Sequence, residues 1–195
     1  MAYEYQNVWK HITPELAEEI TAFWVAEKAL PKGTKPDARA QQVVVVMRDE
    51  KGAIAAVSSA VARVVPRLRQ VLYYYRTFCG AADRGNRTSV PMMQATQKAL
   101  MEYNLGLPKP EAIGVIIEIE NTMIAGHYTD AWWPQTGFSF IGYSPRGLPL
   151  RVHYFPGFKL QPPARIAAAG RAATPAVGQQ RTAAPGSRSR KPRPN

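Results

Sequence analysis

The stretch Gln70-Val-Leu-Tyr-Tyr-Tyr-Arg-Thr-Phe-Cys-Gly-Ala-Ala-Asp-Arg-Gly-Asn-Arg-Thr-Ser89 decides how the rest of the chain is read. Its first half, rich in aromatic and β-branched residues up to Phe78, predicts a central strand. Its second half has no apolar periodicity and leads into Val90-Pro-Met-Met-Gln-Ala-Thr-Gln-Lys-Ala-Leu-Met-Glu-Tyr103, a helix that Thr88 or Ser89 can cap and Gly106 can end. Strand, loop and helix N-terminus thus bring backbone N–H groups, the positive end of a helix dipole and the cations Arg84 and Arg87 together, the parts from which proteins build phosphate sites. The plainer alternative is a solvated connection in which Gly85 and Asn86 only allow a turn.

Upstream, Tyr3, Tyr5 and Trp9 keep the even spacing of a half-buried strand. Thr13-Pro14-Glu15 then reads as the start of a helix whose apolar face is Leu16, Ile20, Phe23 and Trp24, ending at Pro31-Lys-Gly33. Val43–Met47 and Ala53–Val65 flank the turn Asp49-Glu-Lys-Gly52 and predict a hairpin that continues into the Gln70 strand. Downstream, Ala112–Glu120 reads as another strand, Asn121–Trp133 as a short helix or loop, and Phe138–Tyr143 with Leu148–Phe155 as a last hairpin around Ser144-Pro-Arg-Gly147. Helices separated by runs of strands predict an α+β domain built on one mixed, mostly antiparallel sheet.

The chain has 195 residues and a formal charge of +11, but seven of its 25 basic residues lie between Gln161 and Asn195, where there is no acid. Residues 1–160 therefore hold 18 basic groups against all 14 acids, a net +4. The last segment has six prolines, many alanines and no aromatic residue, too little apolar surface to offset its ordering entropy. The division expected is a domain over 1–160 and a disordered basic tail over 161–195. Ser187-Arg-Ser-Arg-Lys-Pro-Arg193 would give that tail weak, salt-sensitive contact with nucleic acid, or serve solubility alone. One cysteine excludes an intrachain disulfide framework, and the scattered His11, His127 and His153 make no metal-ligand spacing. No secretory signal or membrane-length apolar run is seen, so a cytoplasmic protein is expected.

The order of elements from Tyr3 to Lys159 resembles the GNAT family of acyl-CoA-dependent N-acyltransferases. In that family the fourth strand runs into a loop of pattern Arg/Gln-x-x-Gly-x-Gly/Ala that holds the coenzyme diphosphate; here the loop reads Arg84-Gly-Asn-Arg-Thr-Ser89, with Arg87 and Ser89 at positions usually held by Gly or Ala. Asn121 after the fifth strand and Gly137-Phe138 before the last hairpin also match, while Trp133 stands where the family's general-acid Tyr is usual, leaving Tyr128 as the nearest substitute. The resemblance implies acetyl-CoA as co-substrate, an amine-bearing small molecule or protein as acceptor, and a coenzyme site of Phe78, Cys79, Arg84, Gly85, Asn86, Arg87, Thr88, Ser89 and Asn121. It leaves a homodimer open, and a second reading open too: a catalytically inactive module of the same shape that binds a partner or nucleic acid.

Aminolysis of a thioester needs a base for the amine. Glu118 and Glu120, two apart on one strand, project from the same face and are the candidates, with Tyr128 as acid. The alternative is structural pairing of both carboxylates with Arg63, Arg67 or Arg69. Cys79 reads as a small core residue rather than a nucleophile.

Overall fold

The computed structural model describes residues 2–30, 33, 35–85 and 87–164. Eight strands form one sheet in the order β1-β2-β3-β4-β5-β8-β7-β6: β1 (Glu4–Asn7), β2 (Val43–Arg48), β3 (Ile54–Val65), β4 (Gln70–Cys79), β5 (Gly114–Glu118), β6 (Trp132–Trp133), β7 (Phe138–Tyr143) and β8 (Pro149–Tyr154). Each neighbouring pair is antiparallel except β4 and β5. The expected meander is β2-β3-β4, and the expected last hairpin is β7-β8, with β8 inserted between β5 and β7.

The helix α1 (Pro14–Ala26) starts as its sequence dictates: the Thr13 hydroxyl accepts from Leu16 N at 3.3 Å, and Pro14 takes the first helical position. It ends earlier than Pro31-Lys-Gly33 suggests, because Lys28 turns left-handed at φ 51° and Ala29 N closes onto Trp24 O. A short helix, α2 (Pro36–Ala40), follows where no periodic pattern marked one. Ile20, Trp24 and Ala40 bury against Val43, Val46 and Val57 on one face of the sheet. On the other face α3 (Ser89–Leu105) packs Met92, Ala99 and Leu100 over Val44, Tyr73, Tyr75 and Val115.

The crossover from β4 through α3 to β5 is pinned by one buried amide. Asn104 Oδ1 accepts from Glu111 N and Ala112 N, while its Nδ2 donates to Leu100 O and to the Tyr73 hydroxyl, which in turn donates to Glu111. Three of these five bonds are buried and two part-buried, and together they fix where β5 begins. A further helix, α4 (Thr122–His127), carries the Asn121–Trp133 segment back towards β6.

Contacts with the sheet continue past residue 160. Gln161 N donates to Gln70 Oε1 and Gln70 Nε2 to Gln161 O, and Ala164 N donates to Arg69 O. Residues 161–164, assigned to the tail by composition, are thus held at the β3–β4 turn, because Gln70 offers both halves of an amide pair. The expectation of a disordered basic tail falls otherwise on 165–195, which lie outside the described residues. Among the described residues no helix is long and apolar enough to cross a membrane.

Candidate functional site

The site follows from the one parallel pair in the sheet. Ile113 N donates to Val71 O, so the odd-numbered residues of β4 turn their backbone groups towards β5. The two strands pair only at Tyr73–Tyr75 and Val115–Ile117, yet β4 continues to Cys79, and beyond Ile117 the chain of β5 follows β8 instead, with Ile119 N donating to Pro149 O. The backbone edge of Thr77 therefore faces a V-shaped opening with no strand opposite, and the Cys79 carbonyl beyond it is taken by the Arg84 side chain. The opening is a cleft of about 410 Å³ with Trp24, Arg39, Tyr74, Arg76, Glu118 and Glu120 among its walls on one side, and Met93, Ile124 and Trp133 on the other.

At the end of β4 the chain makes one 3-10 turn (Ala81–Asp83) and then two left-handed residues, Gly85 at φ 88° and Arg87 at φ 56°. The Arg84 Nε donates to Cys79 O at 3.2 Å, with its guanidinium 5.7 Å from the Phe78 ring. Thr88 is the cap of α3, but its side chain makes no capping bond. Among the described residues the 17-residue helix α3 thus starts without a bond from its N-cap side chain, directly after a loop carrying two arginines. Burial pushes the Cys79 thiol up, which disfavours a nucleophilic role.

Glu118 and Glu120 do share a face, but their partner is not Arg63, Arg67 or Arg69. Arg146, in the β7–β8 turn, reaches Glu118 and Glu120 at 2.7 Å each, and the Tyr74 hydroxyl donates to Glu118 at 2.6 Å. Arg146, with help from Ser144 and Tyr74, holds the Glu118 carboxyl at about 2 against the burial that opposes it. A base so weak is mismatched to neutral pH. Glu118 therefore fixes Arg146 and Tyr74 in place. Glu120, 56% exposed along its side chain and 3.9 Å from Arg76, stands at the cleft mouth.

The depressed Glu118 value has a measurable consequence. Its pairing stabilises the fold above the ordinary glutamate range and is lost as pH falls from about 4.5 towards 2, worth about 1–2 kcal/mol after screening at the exposed Arg146. In thermal melts, wild type and Arg146→Met should differ at pH 7 and converge only as pH falls through about 2; a difference independent of pH would show that Glu118 is not so held.

The Tyr128 ring packs 5.4 Å from Trp133 and borders two smaller cavities, one of which shares Met93, Ile124 and Trp133 with the cleft. The Tyr128 carbonyl accepts from Trp133 Nε1 and from Arg151, whose buried guanidinium stacks 4.1 Å from the Trp133 ring. Trp133 is thus a wall of the cleft held by both. Asn121 caps α4, its Oδ1 accepting from Met123 N and Ile124 N, and also borders the cleft. Phe78 borders it too, with its ring 5.8 Å from Phe23 of α1. Gly137 has φ 67°, and a Cβ there would meet His153, which explains the glycine. The signal that sequence reading missed is Arg39, Arg76 and Arg146, one on each of three separate segments.

The sequence matches no protein-family model and no curated protein. Solved structures do match. A ribosomal-protein-S5-alanine acetyltransferase from Vibrio fischeri superposes with a TM-score of 0.55 at 10% identity, covering 80% of this chain and 95% of its own. A GNAT superfamily phosphinothricin acetyltransferase from Sinorhizobium meliloti, in complex with AcCoA, gives 0.54 at 15% identity over 83% and 94%. The chain has the GNAT fold. An acetyltransferase of that family from Staphylococcus aureus Mu50 adds a TM-score of 0.51 at 10% identity over 78% and 99%. Within the GNAT fold of this chain, the β4–β5 opening, the Arg84–Ser89 loop and the Glu118–Arg146–Glu120 group lie together on the strand ends of the parallel pair.

Proposed function

We propose that the protein is an N-acyltransferase that uses acetyl-CoA. The observation that carries the reading is the edge of β4 left without a strand beyond Tyr75, where Thr77 borders the cleft and the chain leads on through the Arg84–Ser89 loop into α3. A long ligand with amides in its middle and phosphates at one end suits that path, and the phosphinothricin acetyltransferase that shares the fold is solved in complex with AcCoA. Arg84, Gly85, Asn86, Arg87, Thr88 and Ser89 are assigned to the diphosphate, Phe78, Cys79 and Asn121 to the walls of the coenzyme path.

Bound there, acetyl-CoA would supply an activated acyl thioester. Glu120 is assigned to accept the proton that the acceptor nitrogen gives up, directly or through one water, and to pass it to solvent at the cleft mouth. Glu118 and Arg146 keep Glu120 in place, and Trp133 shields the reacting end from water. Tyr128 acts through its carbonyl as a positioning residue for Trp133.

Acetyl-CoA at about 100 times its Kd should stabilise the chain by roughly 2.7 kcal/mol, a rise of about 5–10 °C in the thermal midpoint. Acetate alone should give none. A midpoint indifferent to acetyl-CoA and to longer acyl-CoA esters would refute the reading and favour a non-catalytic module of the same shape.

A further inference from the structure

The α1–α2 side of the cleft is crowded with positive charge that the chain does not neutralise. Arg39 of α2 and Arg76 of β4 border the cleft. Arg63 projects from the same face of β3 as Ser59, which pairs with Arg76 in the sheet and also borders the cleft. Neither Arg39 nor Arg63 makes an ion pair among the described residues, and Arg76 has only Glu120 at 3.9 Å, a carboxylate that Arg146 already holds at 2.7 Å. All 14 acidic side chains of the sequence belong to described residues. Arg39 is half-buried and its affinity for its proton is lowered, first by burial and then by Arg76 and Arg63, with only Glu120 opposing.

Two guanidiniums in one cleft wall, Arg39 and Arg76, with the charge of Arg63 acting on Arg39 from further along β3, form a receptor for an oxyanion, since each can offer a forked pair of N–H donors. The coenzyme phosphates have their own place at Arg84 and Arg87, past the far end of β4. We infer that the acceptor is an amine that itself carries an oxyanion, a carboxylate as in an amino acid or a phosphonate, with that group held by Arg39 and Arg76 under the charge of Arg63 and the amine directed at Glu120. The inference rests on the acetyl-transfer reading above and names its substrate class. One carboxylate and one oxyanion receptor on the same wall orient a molecule bearing both charges, whereas a polycation such as spermidine is repelled.

The experiment uses the full chain with acetyl-CoA and follows N-acetylated product by mass spectrometry. Amino acids are compared with their amides, 2-aminoethylphosphonate with propylamine, and spermidine is included. The anionic amines should have kcat/KM at least ten-fold above their uncharged counterparts and above spermidine; whether amino acids or the phosphonate lead identifies which oxyanion is read. Arg39→Gln and Arg63→Gln should raise KM for the preferred acceptor about ten-fold, while the thermal shift given by acetyl-CoA persists. Preference for uncharged amines or spermidine, or loss of the acetyl-CoA shift in either variant, overturns the inference, the second outcome assigning these arginines to the coenzyme. Absence of that shift in wild type overturns the acetyl-transfer reading itself, and the inference with it.

Discussion

Glu120→Gln should lower kcat about 100-fold or more while leaving KM for acetyl-CoA within about two-fold. The glutamine keeps size and hydrogen-bonding capacity but cannot take a proton. Glu120 lies three residues past the last β5 residue that pairs with β4, at the mouth of the cleft, fastened by Arg146 and close to Arg76. An acceptor amine is an ammonium ion at neutral pH, and it must lose a proton before nitrogen can attack. The adjacent Glu118, held at about 2, cannot take over that role. Glu118→Gln should therefore act on stability more than on turnover. Steady-state kinetics with the acceptor saturating decide the matter: an unchanged kcat in Glu120→Gln would remove it from the chemistry, and equal losses in kcat and in acetyl-CoA affinity would make it a structural residue.

Gly114→Ala should cost about 3 kcal/mol, a fall of roughly 6–12 °C in the thermal midpoint. Gly114 opens β5, paired with Tyr154 of β8, and a Cβ built on it would collide with the His153 carbonyl and the Tyr154 Cα. Both are backbone atoms in the middle of the sheet, so relief requires β8 to move away from β5. That displacement would also loosen the β5 side of the cleft. Gly52→Ala is the comparison: nothing lies within 4 Å of its Cβ, and only its left-handed φ of 81° is strained, so it should cost about 1 kcal/mol. A Gly114→Ala midpoint within 2 °C of wild type would show that β8 is free to yield.

Where the sequence was sufficient, the signal was local. Thr13-Pro14 marks the start of α1, Asp49–Gly52 and Ser144–Gly147 mark turns, and the two-residue spacing of Glu118 and Glu120 puts both on one face. What could not be read depends on contacts distant in the chain. The Glu118 partner is Arg146, 28 residues on, and it arrives only because β8 inserts beside β5. Arg39 sits in a five-residue helix too short to show a period, and only the packing of α2 on the sheet brings it to the cleft. Tyr128 is near Trp133 in sequence and in space, but Trp133 lines the cleft while Tyr128 borders the cavities beside it. The same holds for the cap of α3: Thr88 has the right side chain, yet among the described residues it makes no capping bond.

That helix start is where the central claim is most exposed to test. Acetyl-CoA titrated calorimetrically into the wild-type chain should bind at one site per chain, and Arg84→Glu combined with Arg87→Glu should weaken binding at least ten-fold by placing two negative charges beside the diphosphate. Absence of binding by the wild type, or equal affinity in the doubly reversed variant, would contradict the placement of a coenzyme along β4 and into the Arg84–Ser89 loop.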